Sequence, residues 1–212
     1  MRHLVLAAIA AFSALPSSAQ THRAGTFDYY VLALSWSPNW CASAGDKRGT
    51  TQCDAGRKVD FNLHGLWPQY EAGWPSNCRT AERDPSRRES EGMADIMGSG
   101  GLAWYQWQKH GRCTGLSAAG YYQASRDAWN AVTLPDYFVD LDKDISIPPA
   151  VIEQAFMEYN PGMSPDGITV TCRGEDLQEI RICLTKDHEP RDCAPDVRAD
   201  CSREAVIMER VR

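Results

Sequence analysis

What this chain lacks narrows its class before any motif is read. Beyond its opening segment, the 212-residue sequence has no apolar run that reaches the roughly 20 residues a bilayer crossing needs. It has no internal repeat and no low-complexity linker, which excludes a repeat array. None of its cysteines stand at Cys-x-x-Cys spacing, the closest two being Cys193 and Cys201, so a zinc-ligand set is not the expected use of them. Positive charge is not in excess: the formal net charge is −6, which excludes a general coat for nucleic acid. If such a chain handles RNA, it does so in a local pocket, with weak and transient binding. Histidine is scarce, with five residues in all, of which His22, His64, His110 and His188 lie past position 19.

The opening stretch MRHLVLAAIAAFSALPSSAQ has a basic start, an apolar run broken by Pro16, and small residues at its end. This is the pattern of a secretory signal peptide with cleavage expected after Ala19, so residues 1–19 are read as a signal and residues 20–212 as a single domain. Loss of that segment removes Arg2 and takes the net charge from −6 to −7. An even count of eight cysteines, all past residue 19, predicts four disulfides in an exported protein, secreted or periplasmic. Their connectivity is not set by spacing.

FDYYVLALSW, residues 27–36, is rich in aromatic and branched residues with little polar interruption, and predicts a central strand. KVDFNLHGLWPQY, residues 58–70, alternates around Val59, Phe61 and Leu63 and predicts a second strand ending near Pro68. Residues 71–91, with Gly, Pro, Ser and many charges, read as a long loop. Helices are expected at 91–97, over AWYQWQKHG (103–111), at 117–132 behind a Ser117 cap, and over PPAVIEQAFMEYN (148–160). GITVTCRG and LQEIRICLTK alternate as two strands, a hairpin turning at 173–176, and a last short strand is expected at 205–211. Strands at both ends with helices between predict an α+β fold: a central, mainly antiparallel sheet flanked by helices and stapled by disulfides.

On a helix, Gln106, Lys109 and His110 share one face, while Trp104 and Trp107 point away and are expected to anchor the other. His22 and His188 stand in polar surroundings and read as surface residues. His64 and His110 are each followed by glycine and set among apolar and aromatic residues, in FNLHGLWP and WQKHGRC. Either alone reads as a core histidine. Together they suggest a two-imidazole site with a lysine beside it, which suits RNA cleavage: a base for the 2′-hydroxyl, an acid for the leaving 5′-oxygen, and a cation for the phosphorane.

These two segments resemble the active-site segments of the ribonuclease T2 family, secreted acid endoribonucleases. FNLHGLWP fits the first throughout, and LAWYQWQKHGRC fits the second at Trp107, Lys109, His110, Gly111 and Cys113. YYVLALSWSPNWC and the late cysteine-bearing strands extend the likeness over most of the chain. The resemblance implies cleavage of single-stranded RNA through 2′,3′-cyclic phosphates to 3′-phosphate ends, with low base specificity, no cofactor and no metal. The partner it implies is single-stranded RNA, with no DNA, no membrane and a monomeric chain. It implies His110 as base, His64 as acid, Lys109 as the phosphorane's cation, and Trp67 as a base-stacking ring. It also implies the pairings Cys78–Cys113, Cys183–Cys193 inside Cys172–Cys201, and Cys41–Cys53. The chain departs where the family usually writes His-Glu-Trp and it has Tyr105-Gln106-Trp107. Tyr105 offers a hydroxyl toward phosphate without a charge, and Gln106 a hydrogen bond in place of a carboxylate. Gln69 lies where some relatives carry an acidic base-reading residue. The departures leave a second expectation open, a catalytically weak or silent RNA- or nucleotide-binding protein on the same fold.

Overall fold

The computed structural model describes residues 22–212; the expected signal peptide, residues 1–19, lies outside them. Six strands form one sheet: β1 (Tyr29–Trp36), β2 (Phe61–Gln69), β3 (Ile145–Ile147), β4 (Ile168–Arg173), β5 (Asp176–Leu184) and β6 (Val206–Met208). The order is β2-β1-β5-β6-β3, with β4 also paired to β5. Between these six strands all pairings are antiparallel except the parallel bridge of β5 and β6. The expected α+β class with a mainly antiparallel sheet is what the chain forms.

β1 is central, flanked by β2 and β5, and buried along its length except at Ser35. That is why its sequence shows hardly any polar alternation: both faces are covered. Tyr30, Leu32, Leu34 and Trp36 face the main core, and Tyr29 and Val31 face a smaller cluster with Cys183, Cys193, Ala194 and Val197. β2 runs through Pro68 to Gln69, one residue past the expected stop. It lies at the edge of the sheet, where a missing N–H costs no ladder bond.

The α-helices are α1 (Ser37–Trp40), α2 (Asp46–Arg48), α3 (Arg87–Glu91), α4 (Ala94–Met97), α5 (Gly100–Lys109), α6 (Ala118–Asn130) and α7 (Pro149–Tyr159). The helix expected at 91–97 is instead two short ones broken at Gly92–Met93, and the expected loop 71–91 ends in α3 behind a Ser86/Glu89 capping box. The helical stretch 37–48 and the three-residue β3 were not expected. Asn39 in that stretch donates to the carbonyls of Leu177 and Ile207 and accepts from the Glu209 N–H, a clamp set by long-range contacts. α6 starts at the expected Ser117, whose hydroxyl accepts from Gly120 N–H, and packs on β2, where the Tyr121 hydroxyl donates to the Leu66 carbonyl. Four disulfides join Cys41–Cys53, Cys78–Cys113, Cys172–Cys201 and Cys183–Cys193, the pairs the resemblance implied. The 35-residue span closed by Cys78–Cys113 is worth on the order of 4 kcal/mol in the chain-entropy account.

Candidate active site

A bulge aims His64. On β1, Ala33 pairs with Gly65 and Leu34 with Leu63, so His64 is an extra residue in β2. Such a bulge bends the strand and re-aims one side chain. The β1 residues alternating with core-facing Leu32 and Leu34 are Ala33 and Ser35, both small, and they leave open ground on that side of the sheet. On β5, Arg181 lies opposite Ala33 and Glu179 opposite Ser35. β2 and β5 are about 10 Å apart, twice the interstrand spacing. Over the small β1 side chains, His64 Nδ1 and Glu179 Oε1 meet at 2.5 Å. The other oxygen of Glu179 accepts from Arg181 Nε at 3.1 Å and Nη2 at 2.9 Å.

Glu179 is 2% exposed. Burial works against its ionisation, but the hydrogen bond and charge of His64, with Arg181, outweigh it and hold the carboxyl below its ordinary range. An ionised carboxylate only accepts, so His64 Nδ1 is the donor and Nε2 is left for other work.

α5 brings the second histidine. Ser99 caps it, its hydroxyl accepting from Leu102 N–H, so the helix begins three residues before Ala103. It ends at Lys109, with His110 at the cap position, its N–H donating to the Gln106 carbonyl. Of the two tryptophans expected to anchor it, Trp107 does: it is fully buried, and its Nε1 donates to Asp84 at 2.8 Å, where Arg112 also forks. Trp104 is exposed, so the expected two-tryptophan anchor is corrected to one. The buried face of α5 is centred on Ala103, Gln106 and Trp107, and Trp104 lies past its edge, about 60° beyond Trp107.

Gln106, Lys109 and His110 do share a face. Gln106 is buried, and its Oε1 accepts from Trp67 Nε1 at 2.8 Å. Close approach explains the glycine after each histidine. A Cβ on Gly65 would lie 2.3 Å from Gln106 Oε1, and one on Gly111 would lie 2.6 Å from Trp107 and 2.7 Å from Tyr121. Only glycine lets α5 and α6 seat this closely.

His110 is 5% exposed, its ring stacked on Trp67 at 5.3 Å and 25°, and its Nδ1 is buried without a protein partner. Burial first, then the charges of Lys109 and His64, take its pKa down from 6.5 to about 3. The imidazole is therefore neutral over most of the acid range and free to accept a proton.

The cleft has two lobes that share His64, Tyr105, Gln178 and Glu179. The lobe of about 450 Å³ is lined by every residue the sequence singled out: His64, Trp67, Gln69, Tyr105, Gln106, Lys109 and His110. Tyr105 is half exposed, with Lys109 Nζ 5.9 Å from its ring, and Gln69 is buried. The lobe of about 500 Å³ runs past His64 toward Asn39, Arg48 and Arg173. Sequence reasoning missed Glu179, Arg181, Gln178 and Trp74. The signal for the first two was present in LQEIRICL: two charges alternate on one face of an otherwise apolar strand, and a buried charge needs a partner.

The model of the Ribonuclease T2 family matches residues 27–193. A ribonuclease of Aeromonas hydrophila is 44% identical over 104 residues, 49% of this chain and 46% of that protein. The matches span about half the length of such curated relatives. Among solved structures, an RNase-related protein from Calystegia sepium superposes with a TM-score of 0.70 at 19% identity, covering 88% of this chain and 98% of that one. RNase NT in complex with 5′-AMP does so with a TM-score of 0.56 at 21% identity, covering 88% and 98%. At these identities the superpositions show the fold.

Proposed function

The chain belongs to the ribonuclease T2 family, and on that premise we propose that it is an endoribonuclease acting on single-stranded RNA by transphosphorylation. In this reading neutral His110 takes the proton of a 2′-hydroxyl, and the 2′-oxygen attacks the adjacent phosphorus. His64, protonated, gives a proton from Nε2 to the departing 5′-oxygen. The products are a 2′,3′-cyclic phosphate and a new 5′-hydroxyl, and water then opens the cyclic ester to a 3′-phosphate with the roles reversed. Lys109 lies in the same lobe and is assigned to the phosphorane's charge. Gln106 is assigned to Trp67, whose indole it holds flat against His110. Trp67 has His110 on its ring and the Arg181 guanidinium 5.5 Å from the ring centroid, so stacking of bases is shared with exposed Trp74 and Tyr105. Stacking on aromatic faces accepts any base, in keeping with low specificity.

The observation that carries the reading is one lobe holding two imidazoles equipped in opposite ways, one buried and neutral, the other on a carboxylate. No metal or cofactor enters the scheme, because the nucleophile belongs to the substrate. Export, to a periplasm or beyond the cell, is part of the proposal, supported by the four disulfides and by the opening sequence. So are a single domain over 20–212 and a monomeric state. Among the described residues no helix is long and apolar enough to cross a membrane.

Digestion of the four homopolymer RNAs and of single-stranded DNA, with and without EDTA, tests the scheme. RNA should yield cyclic-phosphate ends, DNA should survive, and EDTA should change nothing. DNA cleavage, or loss of activity to EDTA restored by zinc, overturns it. Nucleotide binding without turnover makes the chain a binding protein on this fold.

A further inference from the structure

We propose that Glu179 is the positioning residue of His64: a carboxylate supplied by β5 that fixes the ring's tautomer and angle, with Arg181 as its anchor. The proposal rests on the ribonuclease reading for its rate measurements and on geometry alone for the rest. α5 brings no carboxylate to the cleft, since position 106 is glutamine. The carboxylate bonded to a cleft histidine comes from 115 residues beyond His64, on a strand β2 does not touch.

Three features of the fold converge on this contact. The bulge in β2 sets His64 out of register with β1. β4 and β5 carry a second bulge: Thr171 pairs with Glu179 and Cys172 with Leu177, so Gln178 is the extra residue there, and it projects to the junction of the two lobes. Between the bulges, β1 offers only Ala33 and Ser35, over which the long side chains reach. A large residue at 33 or 35 would stand between the two groups.

Both oxygens of Glu179 are engaged, one by His64 and the other by Arg181, and the residue is buried. It therefore acts through His64 and does not touch substrate. Its Oε1 makes Nδ1 the protonated nitrogen, so the proton His64 can give away sits on Nε2. The charged and titratable groups lining the cleft around His64 are Glu179 and Arg181 from β5, Lys109 and Tyr105 from α5, His110 just beyond it and Asp196 in the same lobe, with Arg48, Arg173 and Asp176 in the other lobe; the Trp67 ring stands edge-on at 5.3 Å. Among these Glu179 is the anion in contact, bonded to Nδ1.

The test uses the full protein in three forms: wild type, Glu179→Gln and Glu179→Asp. In Glu179→Gln, kcat on a dinucleotide should fall roughly tenfold to a hundredfold, part of what a positioned acid contributes, with KM little changed. The alkaline limb of kcat/KM should move to lower pH, because the imidazolium has lost its anionic neighbour. Glu179→Asp keeps the charge, so its limb should lie nearer the wild type's. A merely structural ion pair would alter stability and leave the limb in place, and that outcome overturns the proposal. The second arm needs neither turnover nor a variant: long-range ¹H–¹⁵N correlations of substrate-free wild type should show neutral His64 protonated at Nδ1. Finding the proton on Nε2 overturns the proposal whether or not the protein cleaves RNA. If wild type cleaves nothing yet shows the Nδ1–H form, the ribonuclease reading fails and the Glu179 contact stands.

Discussion

His64 and His110 have the same side chain, the same following glycine and the same cleft, yet the fold treats them as opposites. His64 sits on a bulged edge strand with a third of its side chain exposed and a carboxylate on Nδ1. His110 sits just past a helix, 5% exposed, flat on an indole, with no protein partner on Nδ1 and a lysine beside it. One ring holds a carboxylate, and the other is kept neutral by burial first and then by the charges of Lys109 and His64. In the proposed scheme two like residues thus take unlike roles from burial and neighbours, the usual way one site holds both an acid and a base.

The most severe way to break the comparison is to remove either ring. His64→Ala and His110→Ala should each lower kcat/KM by about a hundredfold or more, since each transfer needs its own group. The double variant should be little worse than either single, because the groups act as a unit. Turnover of a dinucleotide measures this, and near-normal activity in either single variant rejects the two-histidine assignment.

The two halves of the comparison were unequally legible in the sequence. The His110 side was nearly complete there, because Gln106, Lys109 and His110 lie within one turn and helical spacing alone puts them on one face. The strands β1, β2, β4 and β5 were legible for a similar reason: each carries its own alternation or apolar run over six to nine residues. The His64 side was not, because its partner arrives across a third strand through two bulges, and a bulge leaves no mark on alternation until the register is known. Segment 37–48 escaped as well, its polar Asn39 being satisfied only by residues 138 and more positions away. β3, three residues long, is too short to show a period. The disulfide partners came from family likeness, as spacing could not choose among them.

A gentler probe sharpens the contrast through stability. His110 titrates at about 3 in the folded chain against an ordinary 6.5. Below pH 6.5 the unfolded chain takes up a proton that the folded chain refuses, so this residue makes the fold lose stability as pH falls from 6.5 toward 3 and costs nothing above 6.5. Between pH 6.5 and about pH 5 the loss is about 2 kcal/mol, at about 1.4 kcal/mol per unit. Glu153 acts the other way over much of that window. Burial first, and then Asp200, raise it from 4.5 to about 7, so its contribution is present in acid and fades as pH rises from 4.5 to 7. The whole-protein profile is flattened by the two, and the difference between wild type and His110→Gln isolates the histidine. Urea unfolding at a series of pH values should show the variant gaining on wild type as pH falls below 6.5. Parallel profiles would mean that His110 is protonated in the fold.

The smallest effect returns to position 106. Gln106 Oε1 accepts the Trp67 indole N–H, and a glutamate could accept it equally, so Gln106→Glu preserves the stack of Trp67 on His110. It adds a negative charge one turn before His110, whose imidazolium is now opposed by burial and by two cationic neighbours. An anion there favours the protonated ring, so the acidic limb of kcat/KM, which reports the base, should move up in pH. The site is almost fully buried, so the new carboxyl itself resists ionisation, and the shift should stay within about one pH unit. The two histidines would then become more alike, each with a carboxylate near it, and the margin separating base from acid would narrow. A pH–rate series on one dinucleotide for both proteins reads the limb directly. An acidic limb that does not move would mean that position 106 does not sense His110, and that the neutrality of the base is owed to burial, Lys109 and His64.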